Sequence, residues 1–586
     1  MRNDEVARVM DEIGGLMRFR GDNPFKIRAY ENAAQAIRSL SEPVDRLLAE
    51  GRLRSVPGIG AAIEKKIADY VATGAVPLHE KLLEEIPAGV LELLAVPGLG
   101  PRRARAAFSE AGVDSLDALE AAAIDGRLAA VSGFGPKSVD TILTALAQVR
   151  RHAGRHRGHE ARPLAEILAA WLRARPEVAA AEVAGDLRRN LEIVGEAVLV
   201  AGADDAEAVL DAFCSHSMAA EIVSRRDAAS GEGSGMAEAT VRLGGGLPAR
   251  LAVASPGAFA AALVCRTGSA GHVERLRAIA GRKRLRLEED GLRKRGGAPV
   301  PCPDEAAVYQ ALGLAWVPPE LREDRGEVEA ARAGTLPVLL ERSDLRGLVH
   351  VHTTWSDGRA SVADTAAAAR ERGFEYLVVC DHSRSTSIAG GLTIDDLRRQ
   401  IDEIRQVDAE IEGIEVLAGS EVDILADGSL DYPDDVLAEL DCVVASVHGQ
   451  FRLSRAEQTA RLLRALANPW LDILGHPTGR ILLSRDGIDV DLEAVLDAAA
   501  EHGAALEVNG DPHRLDLDWR WHQAATARGI RLSIDPDAHG PRTIEPLLAT
   551  GIEAARKGWV TAAQALNALP AVEFRAALRR NRDPSR

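Results

Sequence analysis

From about residue 340 onward, seven short apolar runs alternate with longer stretches of helical periodicity: GLVHVH, YLVVC, EVLAGS, CVVASV, LDILG, AALEV and RLSI. That alternation is the signature of repeated βα units around a parallel sheet. In a parallel βα barrel, functional groups gather at the C-terminal ends of the strands, so the residues standing there test the reading. The first five strands and the seventh end in, or run straight into, His350 and His352, His382, Glu421, His448, His476, and the pair Asp537 and His539. Asp357 lies on the loop after the first strand. Successive side chains of a strand point to opposite faces, so His350 and His352 are expected to project from the same side.

Six of the fifteen histidines thus converge with three carboxylates. Burying so many imidazoles and carboxylates together is costly unless metal ions hold them. Nine donors exceed what one zinc-like ion takes, so two or three divalent ions are expected, with manganese, zinc and iron all compatible with the donor set. Clustered divalent ions activate water and clamp the oxygens of a phosphate ester, which makes metal-assisted phosphoester hydrolysis the expected reaction class.

At 586 residues the chain has room for three or four domains, and 46% apolar with 27% charged residues is the balance of a globular protein. Cys214, Cys265, Cys302, Cys380 and Cys442 lie far apart with no CxxC pair, which predicts a reducing compartment. No run of about eighteen apolar residues occurs, so a cytoplasmic protein without a membrane partner is expected. The net charge of −17 argues at first against nucleic acid, but residues 1–160 carry 22 basic and 22 acidic side chains, so the whole excess falls on the remainder. A locally basic N-terminal module on an acidic body remains compatible with DNA.

That module repeats itself: VPGIGAAIEKKI (56–67), VPGLGPRRARAA (96–107) and VSGFGPKSVDTI (131–142). Each reads as a hydrophobic-Gly-hydrophobic-Gly turn opening a helix, similar to helix-hairpin-helix units that bind the DNA backbone without reading sequence. The glycines Gly58, Gly60, Gly98, Gly100, Gly133 and Gly135 let the backbone approach a phosphate, and Lys66, Arg102 and Lys137 stand close behind. Residues from about 150 to 163, with the run RRHAGRHRGHEAR, read as a basic linker. Residues 164–310 mix helical and strand patterns, and PPELREDRGE (318–327) reads as a charged connection into a last domain starting near Leu336.

Along nearly its whole length the chain resembles the bacterial family X DNA polymerases, which join a helix-hairpin-helix domain, a polymerase palm and fingers, and a C-terminal PHP (polymerase and histidinol phosphatase) domain. The stretches carrying the resemblance include FKIRAYENAA, RTGSAGHVERLR, DLRGLVHVHTTWSDG, CDHS, SEVDIL, SVHGQF, LGHPTGR and DPDAH. The resemblance implies a helix-hairpin-helix domain over 1–150, an α+β nucleotidyltransferase-like palm and fingers over 164–317, and a distorted seven-stranded βα barrel over 336–575. It further implies that His350, His352, Glu421 and Asp537 hold a first metal, that Glu421 bridges to a second held by His448 and His476, and that Asp357, His382 and His539 form a third site. The implied activity is a manganese-dependent 3′–5′ exonuclease acting as a monomer on DNA. Arg480 and Arg514 would neutralise substrate phosphate or form structural salt bridges, and Lys66, with Lys26 and Tyr30, matches positions that hold a 5′-phosphate in relatives. An active family X repair polymerase with exonuclease, a small-molecule phosphatase and a non-enzymatic DNA-binding scaffold are the alternatives; the three N-terminal turns weigh against the phosphatase and the full ligand set against the scaffold.

Polymerase activity is expected to be lost. Family X palms hold two metals on three aspartates, the first two standing two residues apart after a Gly-Ser and Arg-Arg signature. In GDLRRNLEIVGEAVLV (185–200), Asp186 replaces the serine, Glu196 stands at the first aspartate and Val198 at the second, while Arg250 falls at the third. Valine cannot ligate, and added negative charge at Asp186 would repel a triphosphate. Glu182 and Glu192 are the acids that could serve instead if this alignment is shifted.

Overall fold

A computed structural model describes residues 3–38, 44–56, 58–87, 89–94, 96–227, 236–244 and 246–579. Pro57 of the first repeat motif lies outside them. The chain divides into two compact units, Met1–Arg155 with Arg242–Gly246, and His156–Val241 with Leu247–Arg586.

The first unit is helical, and its three repeats share one turn. Ile59, Leu99 and Phe134 are buried between their flanking glycines, and their N–H groups donate to the carbonyls of Val56, Val96 and Val131 at 3.1, 3.0 and 3.1 Å. The first glycine of each pair, Gly58, Gly98 or Gly133, has φ of +94°, +85° or +91°, a conformation that L side chains rarely adopt. The second, Gly60, Gly100 or Gly135, caps the helices Ala61–Thr73, Pro101–Ala111 and Pro136–His152. Burial of the apolar residue between the glycines therefore leaves the exposed turn backbone facing outward, as the motif predicts.

After the helical repeats a five-stranded sheet runs in the order Ala180–Ala184, Ala197–Gly202, Pro248–Ala254, Ala237–Leu243, Ala219–Arg226. Helices Phe259–Thr267 and Ala270–Arg282 follow it. Two expectations fail here. The basic run over 150–163 is mostly regular structure, because His156–Arg157 pairs with Ile193–Val194 and the helix Gly158–Arg173 starts inside it. Gly158 makes this possible, since a Cβ there would lie 2.4 Å from the Leu191 carbonyl oxygen.

The segment 318–327 is likewise no loose connection. Arg322 is fully buried and forks onto both oxygens of Glu305 at 2.7 and 3.1 Å, while Arg188 forks onto the same carboxylate at 2.7 and 2.9 Å. Burial alone would raise the Glu305 carboxyl; the hydrogen bonds from Arg322 and Arg188 reverse that and hold it at about 2. Glu305→Gln is expected to cost about 3–5 kcal/mol at neutral pH, because it leaves buried guanidinium charge unpaired. Because the folded value lies below the ordinary 4.5, the stabilisation is complete above that value and fades as pH falls toward about 2. Urea midpoints of the two proteins should therefore differ at pH 7 and converge in acid; equal midpoints at pH 7 would refute this.

All seven strands expected of the last domain are present, in one parallel sheet whose spatial order is the chain order: Gly347–Val351, Tyr376–Val379, Glu415–Asp423, Cys442–Ser446, Ile473–Leu474, Ala505–Asn509 and Leu532–Asp535. A parallel bridge from Val351 to Ala538 brings the two edges together, so the barrel is nearly closed. The third strand pairs with the second through Ala418 and with the fourth from Gly419 onward. Gly419 permits that change of partner, since a Cβ there would meet the carbonyl oxygens of Val379 and Cys442 at 2.8 and 3.0 Å. Among the described residues no helix is long and apolar enough to cross a membrane.

Candidate metal centre

The nine donors expected at the strand ends come together at one mouth of the barrel. Glu421 stands at the middle, reached by His476 Nε2 at 2.8 Å, His382 Nδ1 at 2.8 Å, His448 Nε2 at 3.2 Å and His350 Nε2 at 3.5 Å. Asp537 Oδ1 lies 3.1 Å from His352 Nε2 and 3.8 Å from His350 Nε2. Asp357 collects His539 Nε2 at 3.3 Å, His382 Nε2 at 3.7 Å and His352 Nδ1 at 3.8 Å. Asp357 is carried by a loop that folds back tightly: a Cβ on Gly358 would sit 2.5 Å from the His352 backbone.

His350 and His352 do converge, with ring centroids 5.2 Å apart, but not by plain strand alternation. The first strand ends at Val351, its register shifts between Leu348 and Val351, and His350 has φ of +58°. The irregularity re-aims the His350 side chain, a common use of bulges beside functional sites. His476 and Asp537 also have positive φ, at 20° and 52°. Three strained, non-glycine positions within one ligand cluster mark a place where function overrides backbone preference.

The donor set fits divalent ions on its own chemistry. His350 Nε2, His352 Nδ1 and His476 Nδ1 are buried without a hydrogen-bond partner, a state that is costly unless something else satisfies them. Zinc–ligand bonds of about 2.0–2.2 Å place neighbouring donors a little over 3 Å apart, which is the spacing found here. Burial opposes charge on His382, but Glu421 and Asp357 push it up to about 10; His448 is likewise held at about 9 against burial, by Glu421 and Asp423. Divalent ions supply the positive charge this ring of carboxylates demands, and their binding displaces those protons.

Several residues that hold the donors carry no sequence signal of their own. Glu507, fully buried in the sixth strand, bonds His350 Nδ1 at 2.5 Å and so presents Nε2 to the centre. Asp423 does the same for His448 Nδ1 at 2.8 Å, and Asn509 donates to Asp537 Oδ2 at 3.1 Å. Asp381 accepts from the N–H groups of Thr353 and Ser356 at 2.9 and 3.1 Å, fixing the loop that leads to Asp357. Glu507→Gln should weaken metal affinity by roughly 10–100-fold, the usual effect of removing such a partner. A chelator competition assay reads this directly, and unchanged affinity would show that Glu507 only fills space.

The two arginines separate. Arg480 is spent inside the chain, donating to the carbonyls of Arg514 and Leu515 and pairing with Asp518 at 2.5 Å, so the structural alternative holds for it. Arg514 is mostly buried beside the centre, its Nε 4.0 Å from Asp537 Oδ2. Of the helix-hairpin-helix cations, Arg102 and Lys137 are exposed and Lys66 is half-buried.

In the five-stranded sheet, Val198 stands directly beside Arg250 on adjacent parallel strands. Arg250 donates to Glu196 and to Glu238, both at 2.9 Å, and Glu238 is also bonded by Arg266 at 2.7 Å. A guanidinium thus occupies the ground between the acids. Asp186 pairs with Arg189 at 2.6 Å, Glu192 is taken by Trp519 and Arg520, and Glu182 lies 3.5 Å from Arg173.

A nearly closed seven-stranded parallel barrel with this ligand cluster defines the PHP class of metal-dependent phosphoesterase domains, and residues 349–511 match the PHP domain family. Residues 1–76 match a helix-hairpin-helix domain, 90–148 a SAM-like helix-hairpin-helix tandem, and 262–323 the DNA polymerase beta thumb. The thumb covers a segment that sequence patterning had not told apart from palm and fingers. The chain is 33% identical over 586 residues to the DNA polymerase/3′-5′ exonuclease PolX of Bacillus subtilis, covering 99% of this chain and 100% of that protein. It is also 33% identical over 211 residues to a probable phosphatase of Caldanaerobacter subterraneus, covering 34% of this chain and 78% of the relative. The chain belongs to the PolX family of bacterial family X DNA polymerases.

Proposed function

We propose that this chain is a metal-dependent 3′–5′ exodeoxyribonuclease of DNA repair, working through the barrel over 336–575, with helix-hairpin-helix turns over 1–150 holding the strand and a palm over 164–317 that no longer polymerises. The convergence of nine metal-type donors on Glu421 and Asp537 carries the reading. In it, His350, His352, Glu421 and Asp537 hold one ion, Glu421, His448 and His476 a second, and Asp357, His382 and His539 a third. The ions, when bound, lower the pKa of water and clamp the oxygens of the phosphodiester. The chain's own part is to aim the donors: Glu507 fixes the tautomer of His350, Asp423 that of His448, and Asn509 orients Asp537. Arg514, beside Asp537, is placed to pair with a substrate phosphate.

The reading is tested with manganese and a labelled oligonucleotide carrying a free 3′ end, where release of nucleoside monophosphates is expected. Histidinol phosphate serves as the competing substrate, because a relative 33% identical over 211 residues is named a probable phosphatase. Preferential hydrolysis of that small ester would overturn the DNA reading. Removing residues 1–150 is expected to weaken DNA binding in a salt-dependent manner while hydrolysis of a small phosphodiester continues. Equal loss of both would show that the segment supports the barrel instead of binding DNA.

A further inference from the structure

Among the described residues, the groups of donors spaced for a metal ion belong to the barrel mouth with one exception, His159, Glu160 and His513. Their donor atoms all lie within 4.8 Å of one another, and the two imidazole rings meet edge to face with centroids 5.1 Å apart. The members come from segments of the second unit that lie far apart in sequence. His159 and Glu160 open the helix Gly158–Arg173, and His513 lies on the turn after the sixth barrel strand. No metal ligand of the barrel is among them.

Both sides are built to stay in place. His513 Nδ1 is bonded by Asp511 at 2.8 Å, the carboxylate–imidazole arrangement that fixes a tautomer and presents Nε2 to an ion. The His513 backbone N–H donates to the same carboxylate oxygen at 2.9 Å, and its carbonyl accepts from Leu482 N–H at 2.6 Å. On the other side, Arg157 donates to the Leu482 carbonyl through Nε at 3.2 Å and Nη2 at 3.1 Å. Leu482 therefore ties the segment before His159 to the turn carrying His513. Arg157 also bonds Oε1 of Glu160 at 2.9 Å, which steadies that carboxylate and leaves Oε2 outside the pair.

We propose that His159, Glu160 and His513 form a second, separate site for a divalent transition ion of the zinc type, which staples the helix Gly158–Arg173 to the barrel turn. Two imidazoles and a carboxylate, completed by water, are a donor set that zinc accepts, whereas magnesium and calcium prefer all-oxygen shells. Donors drawn from two distant chain segments make the ion a cross-link that binds the folded state alone, so zinc stabilises the assembled unit by mass action. The turn that it would hold continues directly into Arg514.

The test uses the full chain and zinc alone, and it reads metal and stability instead of DNA hydrolysis, so its outcome is independent of the exonuclease reading. Wild type and His159→Ala/His513→Ala are stripped with chelator, reloaded with zinc, desalted and analysed for metal. The double variant is expected to retain one equivalent fewer than wild type, and the zinc-dependent rise in melting temperature is expected to shrink. Glu160→Gln, a milder change at a half-exposed side chain, should lower zinc retention at the same site without removing either imidazole. Equal zinc content and equal thermal shift in wild type and double variant would overturn the proposal.

Discussion

Replacing His350 and His352 together with alanine is expected to abolish metal-dependent release of nucleotides from DNA 3′ ends. Both side chains are fully buried and supply donors within 3.1–3.8 Å of Asp537 and within 3.5–3.8 Å of Glu421. Their removal takes away the two imidazoles that face both carboxylates, so an ion held there by Glu421 and Asp537 would keep too few ligands to stay bound. Metal analysis should show at least one equivalent lost. The loss of catalysis should exceed that of Glu507→Gln, which perturbs one imidazole without deleting a donor. A double variant that digests DNA at the wild-type rate would place the nuclease outside the barrel.

That same double variant, incubated with a gapped template, all four nucleotides and magnesium or manganese, is expected to add nothing to the primer. Two-metal nucleotidyl transfer requires clustered carboxylates that can hold both ions. Here Val198 offers no donor, and Arg250 is bonded to both Glu196 and Glu238, with Arg266 also on Glu238. A cation already bonded to the acids repels a second one at that distance. The paired arginines are occupied as well. Arg188 is locked onto Glu305, and Arg189 is divided between Asp186 and Glu323, so neither guanidinium is left to meet a triphosphate. Measurable extension would show that other acids do the work and that the palm remains active.

The barrel was legible because its evidence is local and repeated. Each strand is a short apolar run, and most donors stand at or just after the end of such a run, so His382, His448 and His476 could be placed without knowing how the strands pair. The N-terminal turns were legible for the same reason, since a glycine forced to positive φ recurs three times in the same setting. Glu507 shows where that legibility stops. A glutamate inside an apolar strand reads as an ordinary outlier until the sixth strand lies across the mouth from the first and its carboxylate meets His350. Arg480 fails in the opposite direction, since its motif suggests a phosphate ligand while Asp518 and two carbonyls consume it.

By itself, then, the order of residues determined the element types, the repeats and the identity of the metal-type donors, because periodicity, turn chemistry and side-chain type act over a few residues. Only the tertiary structure decided which partners those donors meet. It placed a bulge at His350 where alternation alone was expected, turned the basic run over 150–163 and the charged run over 318–327 into packed structure, and set Arg250 among the acids of the sheet. These outcomes depend on contacts that no local pattern records, such as Arg250 with Glu196 or Arg188 with Glu305. Whether a charged side chain is solvated, paired or poised for a ligand depends on what the rest of the fold brings within about 4 Å of it.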